Sequence, residues 1–119
     1  MKQRVIPQFR MTDWATSRAF YEHDLGFKVE WEHTFEPGLP VFAEVTLDGL
    51  SVFLTEHAGD CEVGGAAYFV VDDVDALYAA LRDRGARVAE PPEDSPWSTR
   101  EMLVIDPDGN RLRFANSNS

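Results

Sequence analysis

The sequence predicts an α+β fold made of two consecutive modules, each with the order strand, helix and three strands. Runs of alternating apolar and polar residues, interrupted by two runs of helical periodicity, give this order twice. The capping and turn residues of the two halves also recur at equal spacings. We therefore expect a single domain over residues 1–119, made of module 1 (about residues 4–58) and module 2 (about residues 64–116).

Four alternating runs in module 1 predict strands at residues 5–11, 27–35, 40–47 and 50–56. Pro7 indicates that the first strand lies at an edge or contains a bulge, because proline has no N–H to donate. Thr12 or Asp13 is expected to cap a helix that ends at Gly26. The Asp48-Gly49 pair predicts a hairpin between the last two strands.

Module 2 repeats this arrangement. Its predicted strands are residues 66–71, a short strand at residues 87–90 and a closing hairpin over residues 100–115. Asp72 or Asp73 is expected to cap the intervening helix, and Gly85 to end it. In the closing hairpin Pro107 fixes φ, and Gly109 can adopt the positive φ that the turn requires.

The helix and hairpin landmarks occur at the same spacing in both halves. The intervals Asp13–Gly26 and Asp72–Gly85 are both 13 residues. The Asp48-Gly49 turn has a counterpart 60 residues later at Asp108-Gly109. Agreement at several independent positions indicates that one βαβββ module was duplicated.

The chain is acidic, with a net charge of −10 at pH 7. Between Lys28 and Arg82 it has eleven acidic residues and no basic residue. Such a field attracts cations and repels phosphate backbones and anionic lipids, so we expect no nucleic-acid or membrane partner. Solubility alone is the alternative explanation of the charge. A single cysteine, Cys61, allows no internal disulfide, as is typical of a cytoplasmic protein, and no long apolar run predicts a transmembrane helix.

Three stretches carry a resemblance to a known family: "SRAFYEHDLGFKV" (17–29), "VDDVDALYAALRDRGARV" (71–88) and "MLVIDPDGNRLRF" (102–114). Together with the duplicated module they resemble the vicinal oxygen chelate superfamily of glyoxalase I, extradiol dioxygenases, fosfomycin resistance enzymes and bleomycin resistance proteins. The resemblance implies that the modules form a cup-shaped mixed sheet. In the metalloenzymes of that superfamily, each module supplies two metal ligands, one on its first strand and one on its last.

The positions that correspond to those ligands cannot hold a metal ion here. They are Ile6, Phe53, Ala66 and Arg113. None of these side chains offers the carboxylate or imidazole donor that a divalent metal needs, and an arginine repels a cation. His57 could line the cup, but a lone donor does not make a site. Cys61 lies in an acidic loop that raises the pKa of its thiol, which is unfavourable for a nucleophile. We therefore expect no metal and no other cofactor.

A longer stretch, "SPWSTREMLVIDPDGNRLRF" (95–114), is similar to the Pro-Trp-Gly-Arg-Glu-Phe and Asp-Pro-x-Gly-Asn segments of the bleomycin resistance proteins. The chain departs from them at Ser98 and Thr99, where those proteins commonly have one glycine. The resemblance implies a binding protein without enzymatic activity. It also implies a domain-swapped homodimer that sequesters a cationic glycopeptide antibiotic in clefts at the dimer interface.

Aromatic faces combined with negative potential can hold a large planar cation, which gives a set of candidate ligand-binding residues. They are Trp31, Phe35, Ser51, Phe53, Tyr68, Trp97 and Arg113. Core packing or dimer contact is the alternative role of the aromatic members. Glu30 and Glu32 are predicted to share a strand face and to add negative potential.

The alternation in the last strand predicts that Arg111 and Arg113 face the cup, while Leu112 and Phe114 face the helix. Glu44 or Glu101 would then neutralise Arg113. Two other functions stay open on the sequence. One is a glyoxalase-type or dioxygenase-type metalloenzyme with a displaced metal site, and the other is binding of an unknown metabolite.

Overall fold

The computed structural model describes residues 4–118, which form two four-stranded sheets with helices on one side of each. Sheet 1 contains β1 (Gln8–Arg10), β2 (Lys28–His33), β3 (Phe42–Leu47) and β4 (Leu50–Thr55) in the order β1-β4-β3-β2. Sheet 2 contains β5 (Ala66–Val70), β6 (Glu90–Asp94), β7 (Thr99–Ile105) and β8 (Arg111–Ser117) in the order β5-β8-β7-β6. The predicted succession of strand, helix and three strands is confirmed in both halves.

The registers of the two sheets repeat with the predicted offset of 60 residues. In sheet 1 the parallel pair of strands places Gln8 opposite Phe53. In sheet 2 the equivalent pair places Tyr68 opposite Arg113. The duplication is therefore visible at the level of individual strand pairings.

The hairpins of the two halves differ by one residue. Asp48 and Gly49 both have positive φ, 48° and 86°, which is a two-residue turn between β3 and β4. The turn between β7 and β8 has three residues, Pro107–Gly109, and Gly109 adopts φ 80° after the proline-led turn. This is a common three-residue hairpin, and it shifts β7 by one residue relative to the repeat.

The two helical segments begin at the predicted aspartates. α1 covers Trp14–Arg18 and continues as a wider π-helical turn over Ala19–Asp24, and α2 covers Val74–Asp83. The carboxylate of Asp13 accepts the N–H of Thr16, and that of Asp73 accepts the N–H of Ala76, both at 3.1 Å. None of the helices in residues 4–118 is long and apolar enough to cross a membrane.

Two predicted strands are placed differently in the structure. The first strand is only Gln8–Arg10, shorter than predicted, although the carbonyl of Pro7 still accepts the N–H of Phe53 at 2.9 Å. The prediction of a strand at residues 87–90 was wrong. The strand β6 lies at Glu90–Asp94 instead, and it includes two prolines. The prolines are tolerated because β6 pairs only with β7 and its outer edge needs no N–H donors.

One side of both sheets contributes to a single apolar core. Leu54 of sheet 1 and Leu112 and Phe114 of sheet 2 are almost fully buried there, while Arg111 and Arg113 lie on the opposite side, as predicted. We call that opposite side of each sheet its open face. The molecule is only 22 Å thick in its shortest dimension and 49 Å in its longest, so the open faces form a broad surface.

A buried polar network joins the two halves and was not predicted. The hydroxyl of Tyr21 donates to the carboxylate of Asp106 at 2.7 Å. The fully buried amide of Asn110 donates to Asp106 and to the carbonyl of Arg10, and accepts the N–H of Gly65, each at 2.9 Å. Burial raises the pKa of Asp106, although the hydrogen bonds oppose this effect. The closing hairpin is thereby fixed to the first helical segment through Tyr21 and to Gly65, the residue that precedes β5.

Candidate functional site

Glu101 is the centre of a hydrogen-bonded cluster on the open face of sheet 2. Its Oε2 atom accepts the hydroxyl of Tyr68 at 2.6 Å, the hydroxyl of Thr99 at 2.7 Å and the indole N–H of Trp97 at 3.0 Å. Glu101 itself is buried, whereas Tyr68 and Trp97 keep half or more of their surface exposed. The cluster therefore fixes two aromatic rings that face solvent.

The hydrogen bonds set the protonation states in this cluster. Burial favours the protonated form of Glu101, but the bonds from Tyr68, Thr99 and Trp97 and the charge of Arg113 outweigh it and lower the pKa of Glu101. The same contact raises the pKa of Tyr68, since the phenol donates to a carboxylate, and burial adds to this effect. At neutral pH, Glu101 is ionised and Tyr68 is a donor.

Arg113 lies between two carboxylates on the same face. One guanidinium nitrogen is 3.7 Å from Glu101 Oε1 and 3.9 Å from Glu90 Oε1. Of the two predicted neutralising residues, Glu101 has this role. Glu44 does not, because it accepts the indole N–H of Trp31 at 3.0 Å in sheet 1.

The open face of sheet 1 carries three aromatic rings in contact, which we call the aromatic triad: Trp31, Phe42 and Phe53. Trp31 stacks on Phe42 with ring centroids 5.7 Å apart and planes inclined by 18°. Phe53 lies 5.3 Å from Phe42 and 5.8 Å from Trp31. Trp31 remains 41% exposed, so part of this apolar surface faces solvent.

The prediction that Glu30 and Glu32 share a face was wrong. A register shift precedes Trp31 in the pairing of β2 with β3, so the alternation is interrupted at Glu30. Glu32 points to the helix side, where a nitrogen of Arg18 lies 3.4 Å from it. Glu30 accepts the hydroxyl of Thr46 at 2.7 Å.

Two further candidates lie apart from the aromatic triad. Phe35 follows β2 and is 77% exposed, and its one ring contact in the described part of the chain is an edge-on contact with His33 at 5.1 Å. Ser51 is half-buried and lines a groove of about 490 Å³ together with Ile6, Pro7 and Tyr68. The groove connects residues from both sheets.

A shallower hollow adjoins this groove on sheet 2. It has a volume of about 340 Å³ and is lined by Ala66, Ala67, Tyr68, Leu103, Arg111 and Arg113. Ala66, Ala67 and Tyr68 also line the groove, so the two spaces adjoin along β5. A larger hollow, about 630 Å³, lies between Phe20 and Pro107, and none of the predicted site residues lines it.

The loop before β7 holds Trp97 over Glu101. Ser98 adopts φ 66°, a left-handed conformation that glycine adopts more easily. Its carbonyl accepts the N–H of Asn118 at 2.9 Å, and Ser95 and Thr99 exchange backbone and side-chain hydrogen bonds across the turn. A serine therefore takes the strained position at which the resemblance led us to expect a departure in loop shape.

The residues present do not fit a divalent metal. Over residues 4–118 no three His, Cys, Asp or Glu side chains are grouped so that they could hold one. The positions that would supply ligands in metalloenzyme relatives carry Ile6, Phe53, Ala66 and Arg113, and none of them is a donor for a metal. Burial and the neighbouring Asp60 raise the pKa of Cys61, in the predicted direction.

Four residues of the site are absent from the predicted candidates. They are Phe42, Glu90, Thr99 and Glu101. Phe42 could have been found from the alternation of β3, which places it on the same face as Glu44. Glu101 was considered only as a counter-ion, because its role as a shared acceptor depends on side chains from β5 and from the loop before β7.

A family model described as "Glyoxalase superfamily protein" matches the chain over residues 1–119. The chain belongs to the glyoxalase superfamily. This confirms the family expected from the three sequence stretches. The superfamily includes enzymes as well as binding proteins, so membership alone does not decide between these two kinds of function.

Two solved structures and one curated protein illustrate the likeness. The chain is 30% identical over 115 residues to the uncharacterized protein YraH of Bacillus subtilis (strain 168), covering 87% of this chain and 90% of YraH. A bleomycin resistance determinant encoded on the transposon Tn5 superposes with a TM-score of 0.78 at 20% identity, covering 99% of this chain and 100% of that one. A bleomycin-binding protein complexed with bleomycin superposes with a TM-score of 0.73 at 21% identity, covering 98% and 99%. At these identities, the two structures establish the fold of this glyoxalase-superfamily protein.

Proposed function

We propose that this glyoxalase-superfamily protein is a metal-free binding protein that sequesters a bleomycin-type antibiotic or a similar flat small molecule. The observation that carries the proposal is the pair of partly exposed aromatic surfaces on the open faces. One is the aromatic triad, and the other consists of Tyr68 and Trp97, which Glu101 holds in place. Tyr68 also lines the groove that connects residues of the two sheets.

The exposure of these rings favours ligand binding over a structural role. Trp97 is 65% exposed, and its N–H is already satisfied by Glu101, so its ring adds little to the core. A planar ligand that stacks on such a ring gains about 0.5 to 1.5 kcal/mol beyond the burial of apolar area. Because hydrogen bonds fix the ring orientation before binding, less conformational entropy is lost when the ligand binds.

The carboxylates near these rings provide for the cationic part of such a ligand. Glu44 lies beside Trp31, and Glu90 lies at the edge of sheet 2 with most of its side chain exposed. A cation over the face of an indole and near a carboxylate is attracted by both. The net charge of −10 adds a long-range attraction that salt screens.

The donor chemistry of the site argues against metal catalysis. An enzyme of the glyoxalase or dioxygenase type needs several oxygen or nitrogen ligands around one metal ion. The residues at the corresponding positions are apolar or cationic, and no other grouping of donors occurs in residues 4–118. We therefore assign binding, and no catalytic step, to this chain.

A homodimer completes the proposal. The open faces of both sheets are uncovered in a single chain, and a second copy related by a two-fold axis would place sheet 1 of one chain against sheet 2 of its partner. This arrangement gives two identical clefts, each with one aromatic triad and one Glu101 cluster. With its one free cysteine, such a dimer suits the reducing cytoplasm.

Tryptophan fluorescence tests the proposal, because two of the three tryptophans lie at the site. Titration with bleomycin is expected to quench the emission at about two ligands per dimer and to raise Tm. Trp31→Phe and Trp97→Phe should each lose part of the quenching. Trp14→Phe is the matched control, since Trp14 lies on the helix side near Arg18 and should leave the quenching unchanged.

Two results would overturn the proposal. One is the absence of quenching and of any Tm increase with bleomycin and with other flat antibiotics at micromolar concentration. The other is a stoichiometric divalent metal in elemental analysis of the purified protein, since this would restore the metalloenzyme hypothesis.

A further inference from the structure

Most basic side chains in the described part of the chain are held by the fold itself. Six of them contact carboxylates, backbone carbonyls or an aromatic ring: Arg10, Arg18, Lys28, Arg82, Arg84 and Arg100. Within residues 4–118, the side chains of Arg4, Arg87 and Arg111 have no hydrogen bond or ion pair. Arg113 has ion pairs with carboxylates but makes no hydrogen bond to them. In the described residues, these four arginines therefore have side-chain N–H groups without a hydrogen-bond acceptor.

Three of these four arginines line two adjoining spaces. Arg4 lines the groove of about 490 Å³, and Arg111 and Arg113 line the adjoining hollow of about 340 Å³. In a chain with a net charge of −10, an arginine side chain is expected to form an ion pair with one of the many carboxylates. The position of these arginines beside a hollow on the open face indicates that they bind a ligand and do not serve to stabilise the fold.

The environment of Arg113 leaves its donors available. Its nitrogen is 3.7 Å from Glu101 and 3.9 Å from Glu90, distances that compensate charge without forming hydrogen bonds. The Oε2 atom of Glu101 is already occupied by three other donors. The carboxylates therefore stabilise the charge of Arg113, while its N–H groups have no hydrogen-bond acceptor among residues 4–118.

The hollow has the shape and charge for a small anionic group. Ala66 lies opposite Arg111 in the pairing of β5 with β8, and its small side chain leaves space beside the guanidinium. Within residues 4–118, Arg113 is the one of these three arginines that has carboxylates nearby, Glu90 and Glu101, so the three side chains and the two carboxylates leave one positive charge. A carboxylate neutralises one charge and matches the planar fork of a guanidinium with two parallel hydrogen bonds.

We propose that the hollow between Arg111 and Arg113 binds a carboxylate group of the ligand. The inference rests on the proposed function only in that the aromatic body of the same ligand lies on the aromatic surfaces. The ligand is then an aromatic molecule with an acidic group, and a ligand that is also cationic places its cation near Glu90 and Glu44. The arginine that replaces a metal ligand thus selects an anionic group.

A matched pair of probes tests this site. 2-Naphthoate and 2-naphthamide have the same aromatic body and differ in charge. At low salt, wild-type protein is expected to bind naphthoate about ten-fold more tightly than the amide, as measured by tryptophan quenching and calorimetry. This preference should fall as salt is raised. Arg113→Gln should abolish it and Arg111→Gln should reduce it.

Arg87→Gln is the matched control, because Arg87 is also an exposed arginine without a partner in residues 4–118, but it lines the separate hollow between Phe20 and Pro107. It should keep the full preference for naphthoate. Arg113→Lys retains the charge without the planar fork and should keep part of the preference, which provides a second variant if Arg113→Gln does not fold.

Equal binding of the two probes, or an equal loss in Arg87→Gln, overturns the carboxylate site and leaves the proposed function intact, because the amide still reports on the aromatic surfaces. Failure of both probes to bind overturns the carboxylate site as well. The bleomycin titration then decides separately whether the proposed function survives.

Discussion

The open faces of sheet 1 and sheet 2 share one backbone arrangement and carry opposite chemistry. The 60-residue repeat places Phe53 and Arg113 at the same position of the last strand, and the pairings across each sheet match the remaining positions. The aromatic triad Trp31, Phe42 and Phe53 thereby corresponds, in this order, to Glu90, Glu101 and Arg113, which we call the charged triad.

The comparison shows which positions of a duplicated module are free to change. Positions on the core side keep apolar residues in both halves, as at Phe9 and Phe69 or at Leu54 and Phe114. Positions on the open side do not pack into the core, so they can exchange an aromatic ring for a charge. An aromatic ring can be half-exposed without any hydrogen-bond partner, whereas a buried carboxylate must accept hydrogen bonds from nearby donors.

Of the substitutions on the two open faces, removal of Glu101 is expected to lower the free energy of unfolding most. In Glu101→Ala, three donors lose their shared acceptor and Arg113 loses its closer carboxylate. The free energy of unfolding should fall by about 2 to 3 kcal/mol, because unsatisfied polar groups and an uncompensated charge remain. Urea unfolding followed by circular dichroism measures this loss.

Phe42→Ala is the matched control, since Phe42 is the equivalent residue in sheet 1. Its ring is partly exposed and its removal leaves no polar group unsatisfied, so a loss of about 1 kcal/mol is expected. If the two variants lost equal stability, the charged triad would have no special dependence on its partners.

The contribution of the open-face residues to stability should depend on pH in sheet 2, through Glu101, and not in sheet 1, where Phe42 carries no charge. The pKa of Glu101 is lower in the folded protein than its ordinary value, so the ionised form contributes stability at pH values above that ordinary value, about 4.3. This contribution is lost as the pH falls through the folded pKa. The stability difference between wild type and Glu101→Gln should therefore be constant from pH 7 to about 5 and narrow below about 4.

The other carboxylates do not disturb this measurement, because they are present in both proteins and cancel in the difference. They include Asp106, whose raised pKa acts in the opposite direction. Phe42→Leu should show a stability difference from wild type that does not change over the same range. A constant difference for Glu101→Gln down to pH 3 would contradict the lowered pKa of Glu101.

The sequence predicted the repeated frame of the fold because its signals are local. Capping aspartates, turn glycines and alternation each depend on a few neighbouring residues, so Asp13, Asp73 and the strands of the core were found. The misplaced β6 and the interrupted alternation at Glu30 depend on pairing with another strand. An edge strand tolerates prolines and a bulge shifts a register, and neither can be read from one segment alone.

The site was predicted only in part for a similar reason. Phe53, Tyr68 and Arg113 were predicted on the cup face from alternation and the family resemblance, whereas Trp31 and Trp97 were named only as candidate aromatic faces for a ligand. Glu101 was not recognised as the central residue, because its donors come from β5, from β7 itself and from the preceding loop, 33 residues apart in the case of Tyr68. A shared acceptor of this kind becomes visible only when the strands are assembled.

The smallest expected effect concerns the loop that holds Trp97 over the charged triad. Ser98 adopts φ 66°, and a residue with a Cβ atom is strained there by about 1 kcal/mol, whereas glycine is not. Ser98→Gly should therefore raise the free energy of unfolding by about 0.5 to 1 kcal/mol, although glycine also gains entropy in the unfolded chain. Thermal unfolding measures the gain as a small increase in Tm. The indole N–H of Trp97 should still donate to Glu101, so the quenching by ligand should not change. A lower Tm would mean that the Ser98 side chain stabilises the loop, and that the left-handed turn is a preferred conformation of this sequence.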